Sequence, residues 1–414
     1  MDSFSFLKEQ VDKPLLFFFI AATNLFDIAG IDLKIFQFIH LFIMGWMVLS
    51  VSSNMWHVPR GFRSWQVIVL MLLPLLSVYS CQVLHGQAIS LSLIVYRMHL
   101  GWVIYFYLSQ KQIPLSVIAK TVFIVGLGYT LITLLQQITY PFAPFGSRTL
   151  GSAYSSDKVG GVERRMGFWR FMVGGMYFAI IALFFCIRNQ ISHKKIIVFL
   201  FILGIIASGN RQTMFSVFTG IIIFLLFSRN VKHKFLISIT LCFGCVFLSL
   251  YADAIFGKLA NVSGDLNGGR MPSYIFFWNK ITNSSMSFWM GNGLGSSGSL
   301  YGQEENYYDN FPVTPSDIGI VGTMYYWGGL YVIAYIVCVV RYLLSRRLDV
   351  FYKAILFSFL VSCPIASYLW EFDGFMIQGL LFYLCDMDIV FKKEQEYSIY
   401  FTQSNFDNNY LEEL

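Results

Sequence analysis

Residues 195–228 read KIIVFLFILGIIASGNRQTMFSVFTGIIIFLLFS, two apolar runs parted by Ser208-Gly209-Asn210-Arg211-Gln212. Each run approaches the length a helix needs to cross hydrocarbon about 30 Å thick. In that medium every backbone N–H and C=O must be satisfied internally, which a helix does within its own segment. The stretch therefore predicts a helical membrane hairpin with a tight polar turn at one end. Working outward from it, hydropathy defines about twelve candidate spans. They cover 14–30, 33–53, 66–84, 88–108, 114–136, 169–187, 195–209, 212–228, 235–256, 317–341, 350–370 and 374–391. The first is polar at one end and the seventh is short.

Composition supports the same class. Of 414 residues 56% are hydrophobic and only 13% charged, and the mean hydropathy is +0.61. A soluble protein of this size could not cover so much apolar surface, so the bilayer acts as part of its solvent. The expectation is an all-α, polytopic membrane domain over residues 1–391 and a polar, acidic, loosely ordered tail over 392–414. The net charge of +6 falls mainly in short loops between spans, so it does not point to nucleic acid. All seven cysteines lie in apolar segments, which argues against a disulfide framework. Cys242-x-x-Cys245 reads as small packing residues, because a redox pair needs an accessible, polarised thiolate. The N-terminus lacks a short apolar region with a cleavage site, so the first span is expected to remain as an anchor.

Basic residues set the orientation. Arg60 and Arg63, Lys111, Arg188 with Lys194 and Lys195, Arg229 with Lys232 and Lys234, Arg341 with Arg346 and Arg347, and Lys392 with Lys393 follow the even-numbered spans. The positive-inside rule then places both termini in the cytoplasm. Two longer loops, 137–168 and 257–316, face outward, toward the periplasm in a Gram-negative inner membrane. The larger is polar and Gly-rich, a composition that puts binding or chemistry at that surface.

Against this pattern, outward positions carry Arg148, Lys158, Arg164, Arg165, Arg170, Arg211, Arg270 and Lys280. Arg211, held in the tight hairpin, presents a planar fork of donors suited to phosphate oxygens; alone, it also fits an arginine reaching lipid headgroups. Arg164 and Arg165, with Arg170 at the start of the sixth span, form a second basic cluster. Arg97 lies near the middle of the fourth span beside His99, where a charge needs a polar cavity or a partner. Asp27 and Asp32 are candidate partners. Outward carboxylates suited to proton transfer are Glu304, Glu305, Asp309 and Asp317, then Glu371 and Asp373. Asp386-Met387-Asp388 has the spacing of a metal-holding acidic pair, yet it sits at a cytoplasmic helix end with no soluble domain around it. No His/Cys/Glu cluster has metal-ligand spacing, and no Gly-rich loop ends in Lys-Ser/Thr. No metal or cofactor is expected.

The order of motifs over residues 200–335 resembles the O-antigen polymerase and ligase superfamily of bacterial envelope enzymes. The residues that carry the resemblance are the Ser208–Arg211 turn, Gly268-Gly269-Arg270 followed by Trp278, Gly291 to Gly295 in the large loop, and Gly319, Gly322 and Gly328-Gly329 in the following span. The resemblance implies a membrane glycosyltransferase whose donor is an oligosaccharide on undecaprenyl diphosphate and whose acceptor is a sugar hydroxyl. It implies diphosphate binding by Arg211, Arg270, Arg165 and Arg164, a carboxylate base at Asp317 or Glu305, and a lateral groove for the polyprenyl chain. Arg97 and Arg170 are candidates for lining a cavity. A chain-length regulator is a possible protein partner. The ligase pattern has a His near the end of the large loop; here Thr314-Pro315-Ser316-Asp317 stands in its place. A repeat-unit polymerase is therefore the leading expectation, with a ligase or a lipid-linked oligosaccharide flippase as alternatives.

Overall fold

The computed structural model describes residues 6–23, 33–52, 59, 61–140, 145, 163–165, 168–170, 173–189, 191–208, 210–228, 271–303, 315–362 and 372–412. Helix α1 (Lys13–Ala22) opens on Asp12, whose carboxylate accepts from the Leu15 N–H at 2.8 Å. That cap satisfies one of the four donors a helix start leaves open. After α2 (Leu33–Ser52) come α3 (Ser64–Leu72) and α4 (Leu75–His85), which together make one span interrupted at Pro74. The next span combines α5 (Ile89–Tyr96), a 3-10 segment (Arg97–Trp102) and α6 (Val103–Lys111). Then follow α7 (Leu115–Thr139), strands β1 (Glu163–Arg165) and β2 (Phe168–Arg170), α8 (Met176–Arg188), α9 (Lys194–Ala207) and α10 (Arg211–Phe227). The remaining helices are α11 (Met271–Thr282), α12 (Ser285–Met290), α13 (Gly319–Leu343), α14 (Val350–Ser362) and α15 (Phe372–Glu412).

Among the described residues five helical stretches are long and apolar enough to cross a membrane: Ser64–His85, Ile89–Lys111, Leu115–Thr139, Gly319–Leu343 and Phe372–Glu394. Shorter apolar helices lie at Lys13–Ala22, Leu41–Val51, Met176–Arg188, Thr213–Phe227 and Val350–Val361. The protein is thus a polytopic, helical membrane protein, and among the described residues the full-length spans are fewer than the about twelve that hydropathy marks out. Three differences account for part of the gap. The stretch 169–187 becomes a helix only at Met176, because Phe168–Arg170 pairs antiparallel with Glu163–Arg165. Arg170 therefore stands on a strand opposite Glu163, not at the start of a span. The stretch 350–370 is described only as far as Ser362, and 235–256 lies outside the described residues.

Within 257–316 the described residues include α11 and α12, and both pack on α13. Helix α15 continues from the membrane span to Glu412.

Packing proceeds through close helix contacts. α7 packs on α8 and α9, α10 on α14, and α15 on the 3-10 segment and α6. A Cβ at Gly101 would lie 2.5 Å from the Phe372 carbonyl oxygen, and one at Gly126 would lie 2.8 Å from Ala179 Cα. Small residues let helices approach to backbone contact where lipid supplies no hydrophobic drive between them. Large rings fill the interior: Trp102, Tyr105, Tyr325, Tyr331, Tyr335, Tyr342 and Tyr383 are all fully buried.

Candidate functional site

The Gly-rich turn from Gly291 to Ser296 is anchored by a break in a membrane helix. Helix α13 is interrupted at Gly328, whose φ of 84° and ψ of 163° are non-helical. Carbonyls one turn before such a break lose their usual helical donors and need others. The Asn292 N–H donates to the Tyr325 carbonyl at 2.7 Å and the Gly293 N–H to the Tyr326 carbonyl at 2.9 Å. The approach demands glycine on both sides, since a Cβ on Gly291 would lie 2.5 Å from the Gly328 nitrogen.

Polar side chains extend the anchor. The Asn292 amide donates to Ser287 Oγ at 2.7 Å, and its oxygen lies 3.1 Å from His85 Nε2. The His85 ring stacks on Tyr301 at 4.0 Å between centroids, and the Tyr301 and Tyr325 hydroxyls are 3.1 Å apart. Gln87, at the foot of α5, accepts from the Ser296 N–H at 2.8 Å and from Ser299 Oγ at 2.5 Å. Ser80 donates to the Gly291 carbonyl. The residues between Gly291 and Tyr301 are therefore tied to α4, α5 and α13. Tyr301, only 5% exposed, is part of this packing.

The basic candidates occupy separate parts of this framework. Arg211 is the first residue of α10, directly after Asn210, whose side chain caps the helix by accepting from the Thr213 N–H at 3.3 Å. One turn further on, a small apolar hollow lies between α8, α9 and α10, lined by Leu183, Ile202, Ile205, Met214, Val217 and Ile221. Arg164 and Arg165 stand on β1, opposite Trp169 and Phe168 of β2, and the ribbon packs against α9 through β2. Asp317 lies in the 3-10 turn Pro315–Ile318 that leads into α13. Arg270, Glu304, Glu305 and Asp309 lie outside the described residues, as do Asp27, Asp32 and Glu371. Asp373 accepts from the Gly374 N–H at 2.8 Å near the start of α15.

At the opposite end of the bundle the charges serve packing. Asp386, with no exposed surface, accepts from Tyr105 Oη at 2.6 Å and from the Arg63 N–H at 2.8 Å, and its second oxygen lies 3.9 Å from Arg63 Nε. The Arg63 guanidinium rests 4.7 Å above the Tyr342 ring. Asp388 accepts from the Asp349 N–H at 2.7 Å and pairs with Lys392 at 3.0 Å. Asp349 in turn faces Arg188 at 3.6 Å. The spacing of Asp386-Met387-Asp388 thus answers two separate structural networks, and the two carboxylates do not converge. Sequence reasoning missed these roles; the one available signal was an acid embedded in an apolar run. Among the described residues no group of three or more His, Cys, Asp or Glu is placed to hold a metal.

His99 has no exposed surface, and neither ring nitrogen makes a hydrogen bond. It sits within a cage of rings, near-parallel to Tyr96 and Phe375 and edge-to-face with Trp327 and Tyr331.

The long apolar helices define a polytopic, predominantly helical membrane protein with one short β-ribbon. The chain matches no protein-family model, no curated protein and no solved structure.

Proposed function

We propose that this chain polymerises oligosaccharide repeat units of a bacterial surface polysaccharide, using undecaprenyl diphosphate-linked donors at the outer face of the inner membrane. The observation that carries the reading is the placement of Arg211 at the first turn of α10, next to apolar side chains of α8, α9 and α10. A helix N-terminus offers N–H donors and a positive dipole end to an anion, and an arginine there adds a charged fork. In this reading the isoprenoid chain lies along the apolar faces of α8, α9 and α10 beside that turn.

In the proposed reaction an acceptor hydroxyl oxygen attacks the anomeric carbon of the donor sugar. A new C–O bond forms as the bond to the diphosphate oxygen breaks, and undecaprenyl diphosphate leaves with the electron pair. Arg211 and Arg270, with Arg164 and Arg165, stabilise the developing negative charge without metal. Asp317 or Glu305 takes the hydroxyl proton. The reading includes about twelve spans, counting those outside the described residues, with both termini cytoplasmic and a chain-length regulator as partner. The docked turn supports it by giving the outer surface a fixed frame.

The test is the polysaccharide made in cells carrying Arg211→Ala or Arg270→Ala. Each variant is expected to lose long chains while retaining lipid capped with a single repeat and normal protein abundance. Arg211→Lys should restore little, because an ammonium lacks the bidentate fork. Normal chain lengths in well-expressed alanine variants would refute the reading. Loss of all polymer from lipid A, with polymer still built on its carrier, would favour a ligase instead.

A further inference from the structure

Arg97 is a guanidinium inside a membrane span, and among the described residues no acid meets it. It begins the 3-10 segment between α5 and α6, eight residues past Ile89 at the start of the span. At 1.5 Å per residue that places it about 12 Å along the span. Helical spacing puts it on the stripe of Leu93 and Ile94, which are 46% and 51% exposed, as side chains that face lipid would be. Ser92, on the other side of α5, is buried and bonded to Gln87. Arg97 itself is half-buried.

Other arginines of the bundle interior have acids. Asp386 faces Arg63, and Asp349 faces Arg188. Among the described residues no carboxylate or carbonyl pairs with Arg97. Its neighbours do not compensate, since Tyr96 donates to the Met71 carbonyl and His99 is enclosed by rings. A charge at this depth is costly unless an anion meets it, and a guanidinium matches phosphate oxygens bidentately. An anion that reaches a lipid-facing stripe below the membrane surface must arrive attached to a lipid.

We propose that Arg97 is a lateral binding site for a lipid-borne phosphate. The surroundings separate it from Arg211, for α5 packs on α4 and the 3-10 segment, whereas α10 packs on α9 and α14. Lipid binding at Arg97 stands independently of the polymerase reading. Its purpose rests on that reading: joining two lipid-linked sugars requires seats for two lipid phosphates, and Arg97 is the second.

The experiment uses the full chain purified in detergent, loaded with either phosphatidylglycerol or undecaprenyl phosphate, and weighed intact by native mass spectrometry. Wild type is expected to hold one more lipid per chain than Arg97→Gln, with Arg97→Lys retaining a weaker adduct. The lipid showing the Arg97-dependent adduct identifies the source of the phosphate, bulk phospholipid or isoprenoid carrier. Equal adducts of both lipids in Arg97→Gln and wild type overturn the site. Inorganic pyrophosphate added in water should leave the adduct in place; displacement would overturn the intramembrane placement. Leu93→Ala, on the same stripe, should keep the adduct and so separates loss of the charge from disturbance of α5. The Arg97-dependent adduct should also persist in Arg211→Ala. A polymerase reading that fails in cells thus leaves this result standing, and the reverse holds too.

Discussion

Replacing Gly328 with alanine should release the Gly291–Ser296 turn from the membrane helix α13. The backbone at Gly328 has φ 84° and ψ 163°, a region open essentially to glycine alone, and occupying it with a side chain costs about 1–3 kcal/mol. The added Cβ would also meet backbone, at 2.5 Å from the Met290 carbonyl carbon and 2.7 Å from the Gly291 nitrogen. Neither atom can swing aside as the end of a flexible side chain could. The relief available is separation of α12 and its turn from α13, which breaks the Asn292–Tyr325 and Gly293–Tyr326 hydrogen bonds. With each such bond worth about 0.5–1.5 kcal/mol, the combined loss is about 2–6 kcal/mol. Thermal unfolding of the purified protein in detergent would show a lower midpoint, and limited proteolysis would cut between residues 291 and 303 faster. Gly45→Ala is the control, because an added Cβ there meets nothing within 4 Å. A Gly328→Ala protein that unfolds and resists protease like the Gly45→Ala control would refute the helix break and its docking role.

Asp386→Ala should destabilise the protein by about 3–5 kcal/mol, because it strands the Arg63 charge in the interior. Pairing Asp386→Leu with Arg63→Met should recover most of that loss, and equal unfolding midpoints for the single and double variants would contradict the pairing. Asn292→Ala removes the side-chain bonds to Ser287 and His85 but keeps the backbone bonds. Its expected cost is about 1–3 kcal/mol, visible as a smaller fall in midpoint than Gly328→Ala produces. Lys392→Ala should change stability by less than about 1 kcal/mol, since its pairs with Asp388 and Asp349 are part-exposed. A large fall in its midpoint would assign that cluster a structural weight it is not expected to have.

Hydropathy located α7, α13 and the two spans built from α3–α4 and α5–α6, because an apolar run of membrane length can satisfy its backbone only as a helix. It misplaced the start of α8, since Phe168-Trp169-Arg170 is apolar enough to join a span yet pairs as a strand. It also treated 257–316 as one loop, because α11 and α12 are too short to register as spans and owe their place to α13. The Gly-rich turn was visible as a turn, but its partner was not. Nothing local to Gly291 indicates that Gly328, far along the chain, opens a helix to receive it. Asp386 and Asp388 show the same limit. Their spacing imitates a metal pair, while their actual partners, Arg63, Tyr105, Asp349 and Lys392, come from distant segments as well as from the next helical turn.

The amino-acid sequence alone determined that this chain is helical and crosses the membrane repeatedly, because transfer of apolar side chains into lipid is a local property that sums along each segment. Tertiary structure decided which charges are consumed in packing and which stay open. That outcome depends on partners brought together from remote parts of the chain: Asp386 receives Arg63, whereas no acid among the described residues meets Arg97. A sequence lists both as charges in a membrane, and only their neighbours make one a strut and the other a candidate for binding.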